Sequence, residues 1–326
     1  MTFANDQACW EYLWQSRWPE GYRCTNCSCL ETWWIPSRHV YECKRCGYQA
    51  YPTAGTIMHG SHLPIQEWFW AAYLVSTLTP GLSAKQLQRQ IGCSYKSAWF
   101  VLHRLRRLMV NDARSPLYGQ VEADETIIGG KIKGKRGRGV ISDSKKSLVL
   151  GAVEVISYLD KHGANAEKAG RIRLAKAERA DEESIKNFLN QTVAKGSIIR
   201  SDGWRGYSET ALKGYQHAPS LKLALHIHRA FGNLKTWLIG THHGVSPKYL
   251  QAYLHEFVFR FNRRKTPMAA FQTLLGIATQ KSHVTQREFV QPVPKGQAYY
   301  DYLVICSFTN FPDLRVLGNF CVSQRP

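Results

Sequence analysis

No apolar run in the 326 residues is long enough to span a bilayer. The longest, Trp68 to Leu78, is broken by polar residues and falls short of the ~20 that a transmembrane helix needs. It suits a buried helix instead. Neither terminus carries a basic amphipathic helix that would lie on a membrane. Met1-Thr-Phe-Ala-Asn-Asp has no basic stretch followed by an apolar core, so no export leader is expected and the expected compartment is a bacterial cytoplasm, on the nucleoid. No internal repeat is visible. Acidic residues are scarce: 24 Asp and Glu stand against 43 Lys and Arg, a net charge of +19. Such a field draws polyanions, and DNA or RNA is the first partner to consider.

Nine cysteines without an export leader argue for thiols or metal ligands rather than disulfides. Cys24-Thr-Asn-Cys27 and Cys43-Lys-Arg-Cys46 are two CxxC pairs with 15 residues between them. Each pair wraps two thiolates around one ion, and two pairs complete the closed Cys₄ tetrahedron preferred by structural zinc. Trp33 to Ile35 and Val40 to Glu42 read as short strands of a ribbon. The βαβ setting of a redox dithiol is missing. Cys29 reads as a free thiol; Cys9, Cys93, Cys306 and Cys321 read as small buried residues. The first 55 residues, dense in Trp, Cys, Gly and Pro, look loop-rich and in need of such a staple. Lys44 and Arg45 on the second knuckle are placed to reach phosphates.

A helix is expected from Pro64 to Leu78, broken at Thr79-Pro80-Gly81. Ser83 to Met109 has helix-turn-helix character. Ser83 and Ser94 are caps, Gly92 is the turn, and Leu87, Ile91, Ala98, Val101, Leu102 and Leu105 form apolar faces. Tyr95, Lys96 and Ser97 then lie at the start of the second helix, where base edges are usually met. Arg104, Arg106 and Arg107 add charge further along.

After a linker at Asn111 to Pro116 the periodicity changes. Strands are expected at 120–128, 147–155, 170–174 and 197–201, with a helix at 181–193 before the last and helices from there to about residue 280. That order is the order of an RNase H-like α/β domain. Gly129 to Gly139, rich in Gly, Lys and Arg, reads as a loop suited to a phosphate backbone. The residues from 281 onward have no clear periodicity. The expected division is a zinc-ribbon module at 1–60, a helix-turn-helix segment at 61–112, a catalytic domain at 116–280 and a tail at 281–326.

Asp124 lies on the first of those strands and Asp202 at the end of the fourth. The two strands are neighbours in an RNase H-like sheet, so the acids meet across 78 residues of sequence. Two close carboxylates repel unless a divalent cation sits between them, and Mg²⁺ or Mn²⁺ takes oxygen ligands. Such ions activate an attacking oxygen and stabilise the leaving one at a phosphodiester. Singly, Asp124 reads as a strand-end acid and Asp202 as an Asp-Gly turn former. Further on, Ser246 and Pro247 are expected to start a helix on which Glu256 and Arg260 form a surface ion pair. Arg260, Arg263 and Arg264 are candidate phosphate contacts. His242 and His243 are expected in a loop near the site.

Val121-Glu-Ala-Asp-Glu-Thr, Ser201-Asp-Gly-Trp-Arg-Gly-Tyr, Leu234-Lys-Thr-Trp-Leu-Ile-Gly-Thr-His-His-Gly-Val-Ser and Tyr253-Leu-His-Glu-Phe-Val-Phe-Arg-Phe-Asn-Arg-Arg together resemble the insertion-sequence fifteen-ninety-five family, with its ISXO-two-like transposase domain. The resemblance runs from about Trp18 to Ala278. It implies a DDE-type transposase that nicks element ends and joins the freed 3′-hydroxyls to target DNA, with a homo-oligomer on the DNA. The first two acids carry over to Asp124 and Asp202. The third departs: many relatives place Glu seven residues before a Lys, here Lys235, and that position is His228. Other relatives use Asn, and Asn233 is the nearest. At ~100° per residue His228 and Lys235 share a helix face while Asn233 lies about 140° away, so His228 and Asn233 do not aim at one ion together. Lys235 is counted with the DNA contacts. The alternative is a catalytically degenerate zinc-ribbon and helix-turn-helix DNA-binding protein.

Overall fold

The computed structural model describes residues 5–110, 114–129, 146–219 and 224–278. Most of the glycine-cation loop, the start of the expected linker and the tail lie outside the described residues.

The chain opens on a helix, α1 (Asp6–Arg17), where the sequence suggests loops. Asn5 caps it by accepting from the Ala8 N–H at 2.9 Å, and Asp6 and Arg17 suit the two ends of its dipole. Cys9 and Leu13, four apart, point into a helical core, while Trp14 and Trp18 pack on the ribbon. The ribbon is an antiparallel sheet of β1 (Thr32–Ile35), β2 (Val40–Cys43) and β3 (Gln49–Ala50). Both short strands expected in this region are present.

The helical body holds α2 (Ile65–Thr77), α3 (Ala84–Ile91) and α4 (Tyr95–Leu108). The expected caps are in place. Ser83 accepts from Gln86 N–H, Ser94 accepts from Ser97 N–H, and Gly92 closes α3 at φ 67°. Leu87, Leu102 and Leu105 join Trp68 of α2 in one core. Two arginines of α4 are not surface charge. Arg104 is 3% exposed and donates to the carbonyls of Ile57 and His59; Arg106 is 1% exposed.

The α/β part contains β4 (Gln120–Ile128), β5 (Ser147–Leu159), β6 (Asn165–Ala177), α5 (Glu182–Thr192), β7 (Ile198–Ser201) and β8 (Gln216–Pro219). Next come α6 (Leu225–His242), α7 (Leu250–Asn262) and α8 (Pro267–Ala278). The sheet order is β6-β5-β4-β7-β8, with β4–β5 and β5–β6 antiparallel and β4–β7 and β7–β8 parallel. Alternation along β5 sorts the two faces. Leu148, Leu150 and Ala152 pack towards α5, and Val149 and Val153 towards α6 and α7. The last helix, α8, returns to the helical body, where Phe271 and Leu274 join the core of α2 and α4.

Three expectations about the second half change. β8 follows the fourth strand before any helix; its Gln-His-Ala-Pro lacks an apolar alternation and ends on a proline, as an edge strand can. α7 begins at Leu250, because Ser246 to Tyr249 form a turn closed by Tyr249 N–H on the Ser246 carbonyl at 2.9 Å. Glu256 is wholly buried rather than on the surface. Its Oε2 accepts from Arg106 Nε at 2.7 Å, and its Oε1 lies 3.8 Å from Arg260. Among the described residues, no helix is long and apolar enough to cross a membrane.

Candidate functional site

The four ribbon cysteines converge. Their sulfurs lie within 4.8 Å of one another, with Cys27 to Cys43 at 3.5 Å and Cys24 to Cys46 at 3.6 Å. A tetrahedron with Zn–S bonds of ~2.3 Å has edges of about 3.8 Å, so the set already has the size of the ion's shell. The two knuckles are the same local unit. In each, the first cysteine carbonyl accepts from the residue after the second cysteine: Ser28 N–H to Cys24 at 2.8 Å, Gly47 N–H to Cys43 at 2.9 Å. Both of those residues are left-handed, Ser28 at φ 59° and Gly47 at φ 69°. A backbone hydrogen bond from Tyr48 leads the effects that lower the Cys46 thiol, while at Cys27 the backbone hydrogen bond at Cys29 is outweighed by burial and the neighbouring sulfurs, which raise the thiol. Among the described residues this quartet is the one group of three or more such ligands that converges to this degree.

The second site lies at the sheet's centre. β4 and β7 run parallel, pairing Val121 with Ile199 and Glu122 with Arg200. Extending that register by two residues sets Asp202 opposite Asp124. Asp124 is 9% exposed, and its carboxyl lies above the usual carboxylate range. Burial is the main cause, with the Asp202 charge adding to it, while the Glu125 N–H and His228 oppose the shift. Asp202 is partly exposed and folds its Oδ1 back on the Trp204 N–H at 3.0 Å, the turn expected of Asp-Gly.

α6 brings the third group. His228 Nε2 sits 2.8 Å from Asp124 Oδ2, with its side chain 55% exposed at the rim. Asn233 lies on an exposed flank of α6, and among the described residues no hydrogen bond joins it to either acid. His242 is not near this site. It is the last residue of α6, 14 positions and about 21 Å beyond His228 at ~1.5 Å per residue. There it is wedged edge-on against Trp237 and Tyr253, and burial, with Arg106 and Arg260 nearby, lowers its pKa to about 3. His243 closes the helix in the left-handed region.

The sequence did not single out Glu122 and His226. Glu122 is two residues before Asp124, hence on the same face, and 1% exposed. Its Oε1 meets His226 Nδ1 at 2.9 Å and its Oε2 accepts the Ile227 N–H at 2.9 Å. The alternation of Val121-Glu-Ala-Asp places it inward, and that was the available signal.

The expected DNA contacts separate. Tyr95 is 52% exposed and Lys96 is exposed at the start of α4; Lys235 is exposed on α6. Arg260 instead turns inward, donating to the carbonyls of Leu78 and Thr79. Arg263 lies over the Phe259 ring, half-buried. Arg264 binds the carbonyls of Gly170 and Ala169. Arg260 and Arg264 tie α7 to its surroundings, while Arg263 packs on a ring of α7 itself.

The transposase zinc-ribbon domain matches residues 4–49, and the ISXO2-like transposase domain matches residues 116–262. No curated protein matches the chain. The two matched segments hold the cysteine quartet and both acids, Asp124 in the middle of β4 rather than at a strand end and Asp202 just past β7, and the chain belongs to the IS1595 family of transposases.

Proposed function

We propose that this chain is a DDE-type transposase with histidine at the third corner, acting on DNA with Mg²⁺ or Mn²⁺. The observation that carries the reading is the junction of Asp124, Asp202 and His228, from two parallel strands and the helix laid across them. The order β6-β5-β4-β7-β8, with α5 between β6 and β7, supports an RNase H-like fold for this part. The cradle suits a hard divalent ion through its donor set: one carboxylate midway along β4, one just past the end of β7, and one imidazole. Asp124 and Asp202 would hold the ion, which supplies charge to the attacking and leaving oxygens of a phosphodiester.

Asp124 is the better buried acid, and His228 fixes its rotamer. His228 Nε2 can donate to the Asp124 carboxylate; in its other tautomer that nitrogen is free to face an ion. In the first reaction a water oxygen attacks phosphorus, one P–O bond forms and one breaks, and the strand leaves as a 3′-hydroxyl. In the second, that hydroxyl oxygen attacks a target phosphodiester and displaces a target 3′-oxygen, which takes up a proton. Bond count is conserved, so neither an oxidant nor a nucleotide is consumed.

The ribbon and the α3–α4 pair would bind the element end. Zinc in the quartet would brace the ribbon, and Tyr95 and Lys96 would face the groove from the start of α4. A homo-oligomer would bring two ends together, in the cytoplasm at the nucleoid. The test is a cleavage and strand-transfer assay with Asp124→Asn, Asp202→Asn and His228→Ala. Each should lose at least about a hundredfold in rate while DNA affinity holds. Full activity in both Asp variants would refute the site. DNA affinity with no metal-dependent nicking in the unaltered chain would instead mark a DNA-binding protein.

A further inference from the structure

We infer that Glu122 is a positioning residue: its buried carboxylate caps α6 from the sheet and sets where His228 meets Asp124. The inference rests on the reading of Asp124 and His228 as catalytic groups. Among the described residues, α6 has no side-chain cap from its own N-terminus. Ala224 stands at its N-cap position and offers no side-chain acceptor. The first N–H groups of a helix have no partner within it, and Ile227 N–H is one of these. Glu122 supplies that acceptor from β4, 105 residues earlier in the chain. Its other oxygen is held by His226 on the same turn. A carboxylate at this end also meets the positive pole of the helix dipole. At 1% exposure Glu122 cannot touch DNA, so its effect must pass through α6.

A second feature locks the same contact. Gly151 on β5 is paired with Asp124 on β4, and α6 crosses the sheet at that point. A β-carbon on Gly151 would lie 2.7 Å from the Phe231 ring and 2.8 Å from Ile227 Cδ1. The missing side chain therefore lets α6 settle against the sheet beside the acid. Glu122 fixes the end of the helix and Gly151 its height. Both surround the turn that carries His228.

The test is a double-mutant cycle read by the single-turnover cleavage rate with Mg²⁺, on full chain. Glu122→Leu should lose about ten- to a hundredfold, as small displacements of reacting groups do. Glu122→Gln, whose amide oxygen still accepts from Ile227, should recover most of the rate. In the Glu122→Leu, His228→Ala double variant the rate should equal that of His228→Ala alone, because both remove the same contact. Amide exchange over residues 225–231 should quicken in Glu122→Leu while β4 and α7 stay protected. Wild-type cleavage in Glu122→Leu beside a slow His228→Ala would overturn the inference and leave the site reading standing. So would losses that multiply in the double variant. Full activity in His228→Ala would sink the site reading instead, and amide exchange would still judge the capping. If Glu122→Leu does not fold, Gly151→Ala examines the same docking, and an undiminished rate there overturns it.

Discussion

The buried ion pair between α4 and α7 gives the sharpest stability prediction. Arg106 and Glu256 are 1% and 0% exposed and meet at 2.7 Å, across 150 residues of sequence. The Arg106 guanidinium also lies 3.9 Å from the centre of the Tyr253 ring, and Arg260 approaches the same carboxylate. Glu256→Gln keeps the size of the side chain but leaves two neighbouring guanidiniums without a counter-charge. Removing one member of a buried pair costs about 3–5 kcal/mol. The retained amide acceptor holds the expected loss near the lower figure, about 3 kcal/mol. For a body of this size that is a fall in Tm of about 6–12 °C. The measurement is urea unfolding followed by far-ultraviolet circular dichroism, with thermal melting alongside. A Glu256→Leu, Arg106→Met double variant should regain part of the loss, since a packed apolar pair removes two desolvation costs while Arg260 keeps only its bonds to the carbonyls of Leu78 and Thr79. A cost below about 1 kcal/mol for Glu256→Gln would be the behaviour of an exposed pair and would refute the buried one.

Other outcomes follow from the same contacts. Stripping zinc with a chelator, or Cys43→Ser, should shift the fluorescence of the tryptophans around the ribbon while the sheet signal persists; a protein that purifies without one zinc per chain would contradict the quartet. Structural zinc of this kind contributes on the order of 10 kcal/mol to such a module, so loss should be complete rather than graded. Lys96→Ala should weaken DNA binding and reduce the salt slope by about one, and an unchanged slope would remove the start of α4 from the phosphate contacts. Glu154 is mostly buried, which raises its pKa, but Arg171 and the amides of Tyr118 and Arg171 outweigh this and hold it below its ordinary 4.5. A depressed carboxylate stabilises the fold above its unfolded pKa and loses that contribution as pH falls through the folded value. Glu154→Gln should therefore be less stable than the unaltered chain at pH 7. The two melting curves should draw together below pH 4.5, and a gap independent of pH would contradict the linkage.

Features encoded over a few residues were readable before any fold was known. The knuckles need only CxxC and one left-handed residue, the α3–α4 turn needs two serines and Gly92, and the strand around Asp124 announces itself by alternation. α1 was hidden because its apolar residues are shared between two cores, Cys9 and Leu13 facing one way, Trp14 and Trp18 the other. Its signal was the Asn5 cap and the four-residue spacing of Cys9 and Leu13. The third corner was undecidable for a different reason. Helical periodicity separates His228 from Asn233 but does not say which of them faces the sheet. That rotation is fixed from outside α6, by Gly151 and Glu122 on other strands.

Charge raises the same difficulty in a form that bears on DNA binding. A net +19 counts every cation alike, yet solvation and partners decide what a polyanion meets. Arg104 and Arg260 donate to backbone carbonyls, Arg106 to a buried carboxylate, and Arg264 to the carbonyls of β6. Each still contributes to the long-range field, but Arg104, Arg106 and Arg260 are held inward away from direct phosphate contact, whereas Arg264 is exposed. The contact charge on α4 and α7 is thus smaller than their arginine count suggests. Exposed Lys96 lies on α4, which packs against α7, and exposed Lys235 lies on α6, which packs on β4 and β5. Removing an inward arginine should therefore lower stability with little change in the salt slope, whereas removing either lysine should do the reverse.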